Sequence, residues 1–199
     1  MTEAERDDDL VRRFQAGESD AFTELVRRHQ QRVYSICLRM LGEADAAADV
    51  AQDTFLTVLR KLGGFRGDAA FTTWLHRVAV NACYDELRRK RRRPMPHVVS
   101  DDHPEREPGP PVADHADEVI GTSDAAAALA SIPEEFRAAV VLADVQDLPY
   151  DQIAEVLDVP VGTVKSRVHR GRVALAAALG VRDADGEPAT PSRASERKP

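Results

Sequence analysis

Residues 150–172 read Tyr150-Asp-Gln-Ile-Ala-Glu-Val-Leu-Asp158, followed by Val159-Pro-Val-Gly-Thr-Val-Lys-Ser-Arg-Val-His-Arg-Gly-Arg172. The first stretch sets Ile153, Ala154 and Leu157 on one face of a short helix. The second repeats valine at three- and four-residue spacing, at Val161, Val164 and Val168, which turns those side chains inward. Val159-Pro160 supplies a sharp turn between them. A short helix packed through a small residue, a tight turn and a second helix with an outward polar face make the pattern of a helix-turn-helix. Lys165, Ser166, His169 and Arg170 then lie on the outer face, with Arg167 and Arg172 towards its edges. A basic stripe on an ordinary amphipathic helix has the same composition; the preceding helix and the turn are what point to DNA. On that reading the outer face enters a major groove. Arg170 and Lys165 suit guanine edges, Ser166 and His169 read more permissively, and Thr163 at the helix N-terminus holds phosphate oxygens.

The formal net charge of −7 argues against nucleic acid until its distribution is read. Residues 10–93 hold sixteen basic and ten acidic groups, a local charge of +6, and residues 159–179 hold four basic groups and no acid. The segments 1–9, 94–122 and 123–158 carry −4, −6 and −7. Two positive blocks inside a negative chain suggest a polyanionic partner.

Working towards the N-terminus, helical periodicity runs from Ser19 onward. Ser19 is placed to cap a helix with Phe22, Leu25, Val26, Val33, Ile36, Cys37 and Met40 inward, and Gly42 ends it. A helix from about Glu43 to Lys61 puts Ala47, Val50, Ala51, Phe55, Val58, Leu59 and Leu62 on or near one stripe. Glycines at 63, 64 and 67 frame a loop, and a further helix runs from Phe71 to Arg92 with Trp74, Leu75, Val78 and Leu87 buried. The second unit is expected as helices at Ser123–Ser131, Pro133–Val145, Tyr150–Leu157 and Val161–Leu179. Between the units, residues 94–122 are acidic and proline-rich with few large apolar groups, the composition of a flexible linker. The expectation is an all-α chain of two small helical domains, 8–93 and 123–179, joined by the linker 94–122 and followed by a disordered tail, 180–199.

Gly-Thr-Val-Lys-Ser-Arg-Val-His-Arg-Gly-Arg at 162–172 resembles the region 4.2 signature of the bacterial sigma-70 family, especially its extracytoplasmic-function (ECF) group. Ile132-Pro-Glu-Glu-Phe-Arg-Ala-Ala-Val-Val-Leu142 resembles the region 4.1 helix that precedes it. Asp49-Val-Ala-Gln-Asp-Thr-Phe-Leu-Thr-Val-Leu59 looks like region 2.2, and Phe65 to Cys83 resembles regions 2.3 and 2.4. The resemblance implies an alternative sigma factor that binds core RNA polymerase and directs it to promoter DNA. Its implied polymerase contacts, to the clamp coiled coil of the largest subunit, are Asp49, Gln52, Asp53 and Leu56. Residues 162–172 would read the −35 element. In the −10 element, Asp68, Thr72, Thr73 and Asn81 would form a pocket for a base drawn out on melting. The run Arg88–Arg93, with Arg88 and Arg89 foremost, exceeds what helix capping requires and is assigned to promoter phosphates. The resemblance also implies an anti-sigma factor as partner, and a linker that threads the polymerase RNA path and imitates a transcript's charge.

Competing assignments leave less explained. Asp45, Asp49 and Asp53 form an acidic stripe at four-residue spacing, which fits a solvated helix face as well as a docking face; no histidine stands at metal-ligand spacing. A metal-dependent hydrolase built on that stripe lacks a nucleophile, so no catalytic residue, cofactor or metal is expected. A stand-alone helix-turn-helix regulator would account for the C-terminal half only. Trp74 reads as core rather than as a stacking platform, and His29, His76, Cys37 and Cys83 as structural residues, the cysteines as free thiols. No apolar run approaches the roughly 18 to 20 residues of a membrane helix, and the acidic start lacks a signal pattern; a cytoplasmic protein without membrane insertion is expected.

Overall fold

A computed structural model describes residues 3–92 and 123–180, and among the described residues every regular element is helical. The expected linker at 94–122 and the expected tail, Gly180 apart, lie outside the described residues. The first unit comprises α1 (Glu3–Gln15), α2 (Ser19–Leu41), α3 (Ala44–Leu62) and α4 (Phe71–Arg92). The second comprises α5 (Ser123–Ser131), α6 (Glu134–Val140), α7 (Tyr150–Leu157) and α8 (Val161–Ala178).

In the first unit the apolar faces of α2, α3 and α4 meet around Leu25, Val33, Ile36, Val58, Phe71 and Leu75, all essentially without solvent exposure. Each large side chain buried this way contributes roughly 2 kcal/mol. Gly42 closes α2 at φ 75°, its N–H donating to the Leu38 carbonyl at 2.8 Å. Ser19, expected as the cap, is instead the first helical residue; Glu18 occupies the cap position and its side chain makes no capping bond. Trp74 packs with Phe65 and Phe71 at ring separations of 5.0 and 6.0 Å, so its indole belongs to the core edge.

Helix α1 was not expected from periodicity. Its apolar residues Leu10, Val11 and Phe14 crowd the C-terminal half, while the other half is acidic. The acid that anchors it is buried: Asp7 accepts from His29 Nε2 at 2.8 Å, and Arg28 reaches the same carboxylate. Deeper in the core, neither ring nitrogen of His76 has a protein hydrogen-bond partner. Burial, followed by the charges of Arg32 and His29, pushes this imidazole down to about 4. Cys37 and Cys83 are both free and buried; the hydrogen bond from Cys37, and then burial, raises the Cys83 thiol far above its ordinary range.

In the second unit α6 continues as one turn of π-helix at Val141–Val145, where the expectation was unbroken α-helix; Gln146 N–H donates to Val141 at 3.1 Å. Helix α8 crosses α6 so closely that a side chain at Gly171 would collide with Val140 and come within 3.0 Å of the Phe136 carbonyl. The turn of the helix-turn-helix is formed by Asp158 at φ 53°, a left-handed residue that aspartate tolerates, and Val159 N–H reaches Ala154 at 3.1 Å. Val164 and Val168 are buried as expected, but Val161 is 40% exposed.

The two units pack against each other, α4 on α7 and α2 on α5, and share one apolar core. Arg137 of α6 is buried at the junction. It donates to the carbonyls of Met40, Ala130 and, at 3.0 Å, Ile132, so it joins the ends of α2 and α5. Arg77 donates to the Glu155 carbonyl, and Arg91 pairs with Glu134 across the same seam.

The close crossing at Gly171 and the buried imidazole each have a measurable effect on stability. Gly171→Ala is expected to lose about 1–3 kcal/mol in denaturant unfolding, the cost of overpacking. Gly162→Ala, whose added methyl meets nothing within 4 Å, serves as the control and should be unchanged or stabilised by up to about 1 kcal/mol through helix propensity. His76 titrates near 6.5 when unfolded but only near 4 when folded. Between those values the unfolded chain takes up a proton that the folded chain refuses. Its contribution, on the order of 3 kcal/mol, is therefore full above pH 6.5 and lost as pH falls towards 4. Unfolding curves measured from pH 7 to pH 4 should show this loss relative to His76→Leu, in which the dependence is flattened.

Candidate nucleic-acid interface

On α3, the residues Asp49, Gln52, Asp53 and Leu56 recur at three and four positions and are all exposed on one face. Leu59, expected on the buried stripe, is 40% exposed beside Leu56 at 45%, so two leucines and three polar groups form a single surface. The spacing of Leu56 and Leu59 from Gln52, four and seven residues, was the signal that would have found the second leucine. Arg89 of α4 feels the charges of Asp53 and Asp49, after its own pairing with Glu86.

The α3–α4 loop turns at Gly67, φ 76°, and leaves Asp68 exposed. Thr72 is half-buried and Thr73 is 4% exposed, its side chain within the core edge. Asn81 is exposed, but helical rise puts it roughly 15 Å along α4 from the loop. The four expected pocket residues therefore do not form one cluster: Asp68 and Thr72 lie at the loop and the first turn of α4, Thr73 is buried, and Asn81 lies on the exposed far half of α4. Arg88 and Arg89 stand in that half, loosely held by Asp85 and Glu86 one turn earlier. The Arg88–Asp85 pair is exposed on both sides and worth little, whereas Arg89 holds a Glu86 side chain only 10% exposed; both guanidinium groups are themselves exposed. Gln15 was missed altogether. Its amide donates to the carbonyls of Leu62 and Phe65 at the loop entrance, contacts 47 and 50 residues away that no local pattern announces.

On α8, Lys165, Ser166, His169 and Arg170 are exposed together, as expected, with Thr163 and Arg167 half-buried. Ser166 Oγ donates to the Thr163 carbonyl at 2.9 Å. The Arg170 guanidinium rests 5.9 Å from the Phe136 ring centre, which limits its rotamers without neutralising it. Arg172 is turned away from this face: both arms of its guanidinium engage Asp144 in the π-turn, and that pairing raises its pKa. Arg167 lies close enough to Tyr84 of α4 for its charge to oppose the rise that burial imposes on the phenol.

Residues 25–93 match the family model for Sigma-70 region 2, and residues 124–175 match that for Sigma-70, region 4. The RNA polymerase sigma-H factor of Pseudomonas aeruginosa is 37% identical over 190 residues, covering 90% of this chain and 96% of its own. The ECF RNA polymerase sigma-E factor of Escherichia coli is 37% identical over 182 residues, covering 88% and 95%. The chain belongs to the ECF group of the sigma-70 family. As an ECF sigma factor it is a transcription initiation factor rather than an enzyme: it binds core RNA polymerase and promoter DNA, and the polymerase performs the chemistry. The fold is shared with CnrH, solved in complex with the cytosolic domain of CnrY, at a TM-score of 0.62 and 24% identity over 87% of this chain and 97% of that one. It is shared also with RpoE of Bartonella quintana, solved with the anti-sigma factor NepR, at a TM-score of 0.61 and 22% identity over 80% and 97%. No helix among the described residues is long and apolar enough to cross a membrane.

Proposed function

We propose that this ECF sigma factor works in the cytoplasm and divides promoter recognition among three surfaces. The α3 face of Asp49, Gln52, Asp53, Leu56 and Leu59 docks on core polymerase. An exposed apolar pair within an acidic rim suits a basic partner surface, the leucines supplying buried area and the carboxylates orientation. The loop around Asp68 with Thr72, backed by Thr73, captures the melted −10 strand, and Asn81, Arg88 and Arg89 track its backbone along α4. The α8 face of Lys165, Ser166, His169 and Arg170 reads the −35 element, with Thr163 and Arg167 on phosphates and Arg172 fixing the helix through Asp144.

The observation that carries this reading is that the polar face of α8 stays open even while the two units are packed together. Both faces cannot serve one promoter in that packing. Elements named 25 base pairs apart are separated by roughly 85 Å of duplex at 3.4 Å per pair. A packed body of this size is only about 40 Å across. Engagement of polymerase therefore separates the units, and the Arg137, Arg77 and Arg91 contacts are released. The packed form is the one offered to an anti-sigma factor, a partner supported by the complexes in which CnrH and RpoE were solved.

Run-off transcription with purified core polymerase and a randomised promoter library tests the assignment. Core-dependent transcripts from templates sharing −10 and −35 sequences are expected. Failure to initiate on any template, or equally specific DNA binding without polymerase, would contradict it. Within that assay Arg170→Ala should cost about 1–3 kcal/mol at one −35 base pair. A uniform loss over all sequences would reassign Arg170 to phosphate.

A further inference from the structure

We infer that Gln15 is a positioning residue for the −10 element, holding the α3–α4 loop in the shape that receives the melted strand; this rests on the loop's role proposed above. Helix α3 ends at Leu62 with carbonyls that lack helical partners, and Gly63-Gly64 comes next, the backbone with the most conformations to lose. Gln15, the last residue of α1, spans this weak point. Its Nε2 donates to the Leu62 carbonyl at 3.1 Å and to the Phe65 carbonyl at 2.9 Å, using both amide hydrogens on the two ends of the hinge. Gly64 and Phe65 N–H groups return to Lys61 and Leu62 at 3.0 and 3.1 Å, which completes a closed turn.

The anchored turn fixes the course of the loop beyond it. With its carbonyl held, Phe65 lays its ring against Trp74 and edge-on to Phe71 at 6.2 Å. The chain then bends at Gly67 and presents Asp68 outward. A groove opens between α1 and the loop, with Val11, Arg12 and Gln15 on one wall and Phe65, Gly67 and Ala69 on the other. The anchoring of α1 itself does not depend on the amide: Asp7 is tied to His29, and Phe14 packs on Phe22 at 5.8 Å. Gln15 is exposed, and its two bonds serve the loop. A loop already fixed in its receiving shape loses less entropy when a base enters, so the anchor strengthens capture of the −10 base, a gain that a promoter lacking that base does not receive.

The test uses the full chain in holoenzyme with the −10 sequence selected by the wild type. Open-complex formation is read by permanganate reactivity of unpaired thymines, on that promoter and on one with the captured base replaced. Gln15→Met keeps the length of the side chain and removes both donors; Gln15→Glu sets carboxylate oxygens against the two carbonyls. Both should lower the ratio between the promoters about ten-fold, the scale of one to two hydrogen bonds, with core affinity and −35 preference unchanged. An unaltered ratio in either folded variant overturns the inference. So does a parallel fall in core affinity and −35 preference, which marks an ordinary stabilising residue. Asp68→Ala separates the two levels. If it shifts the ratio while Gln15→Met does not, only the role of Gln15 falls; if neither shifts it, the loop assignment falls and the inference with it.

Discussion

The guanidinium of Arg137 is the contact on which the arrangement of this sigma factor depends. A buried cation is costly unless its hydrogens are matched; here both terminal nitrogens donate to carbonyls at the ends of two helices, while Nε is buried without a hydrogen-bond partner. Met40 lies in the last turn of α2 and Ala130 in that of α5, where carbonyls lack helical partners and the helix dipole is negative. One side chain of region 4 thereby satisfies an orphan acceptor of region 2, at Met40, along with one at the end of α5. Desolvation lowers the pKa of the guanidinium, the expected sign for a cation held by neutral dipoles.

The rest of the seam is set by that anchor. With α6 fixed to the end of α2, α7 lies along α4, where Arg77 reaches the Glu155 carbonyl and Arg91 reaches Glu134. The Arg77 and Arg91 contacts are polar and lie at the edge of the seam, around apolar residues of both units that share one core, so separating the units exposes apolar surface that binding to polymerase must offset. A transcription factor that must span two promoter elements is served by strong units and a releasable joint.

Much of the architecture was legible because it is written in local periodicity. The starts and ends of α2, α3 and α4, the turn at Gly42 and the helix-turn-helix all rest on spacing and on residues with special backbone freedom. What was not legible depends on partners distant in sequence. Helix α1 reads as an acidic start because the histidine that pairs with Asp7 is 22 residues away. Leu59 and Val161 satisfy the apolar spacing, yet each remains 40% exposed. Arg172 fits a DNA-facing stripe until Asp144, 28 residues earlier, claims it. Gln15 gives no local sign of its role. The candidate site divides the same way: the α3 and α8 faces are helical stripes and were visible as such, whereas the α3–α4 loop is a tertiary construction, and Thr73 and Asn81 were grouped with it through the resemblance to regions 2.3 and 2.4.

A packed body that separates at the promoter can be followed directly by an interprobe distance. Labels at Thr23→Cys on α2 and Ala177→Cys on α8 fall on exposed positions, and the native Cys37 and Cys83 are buried from the reagent. The free chain should give one distance within the roughly 40 Å breadth of the packed body, and the complex with core polymerase and promoter should lengthen it by tens of ångströms. An unchanged distance in an initiating complex, or a long one already present in the free chain, would contradict the account.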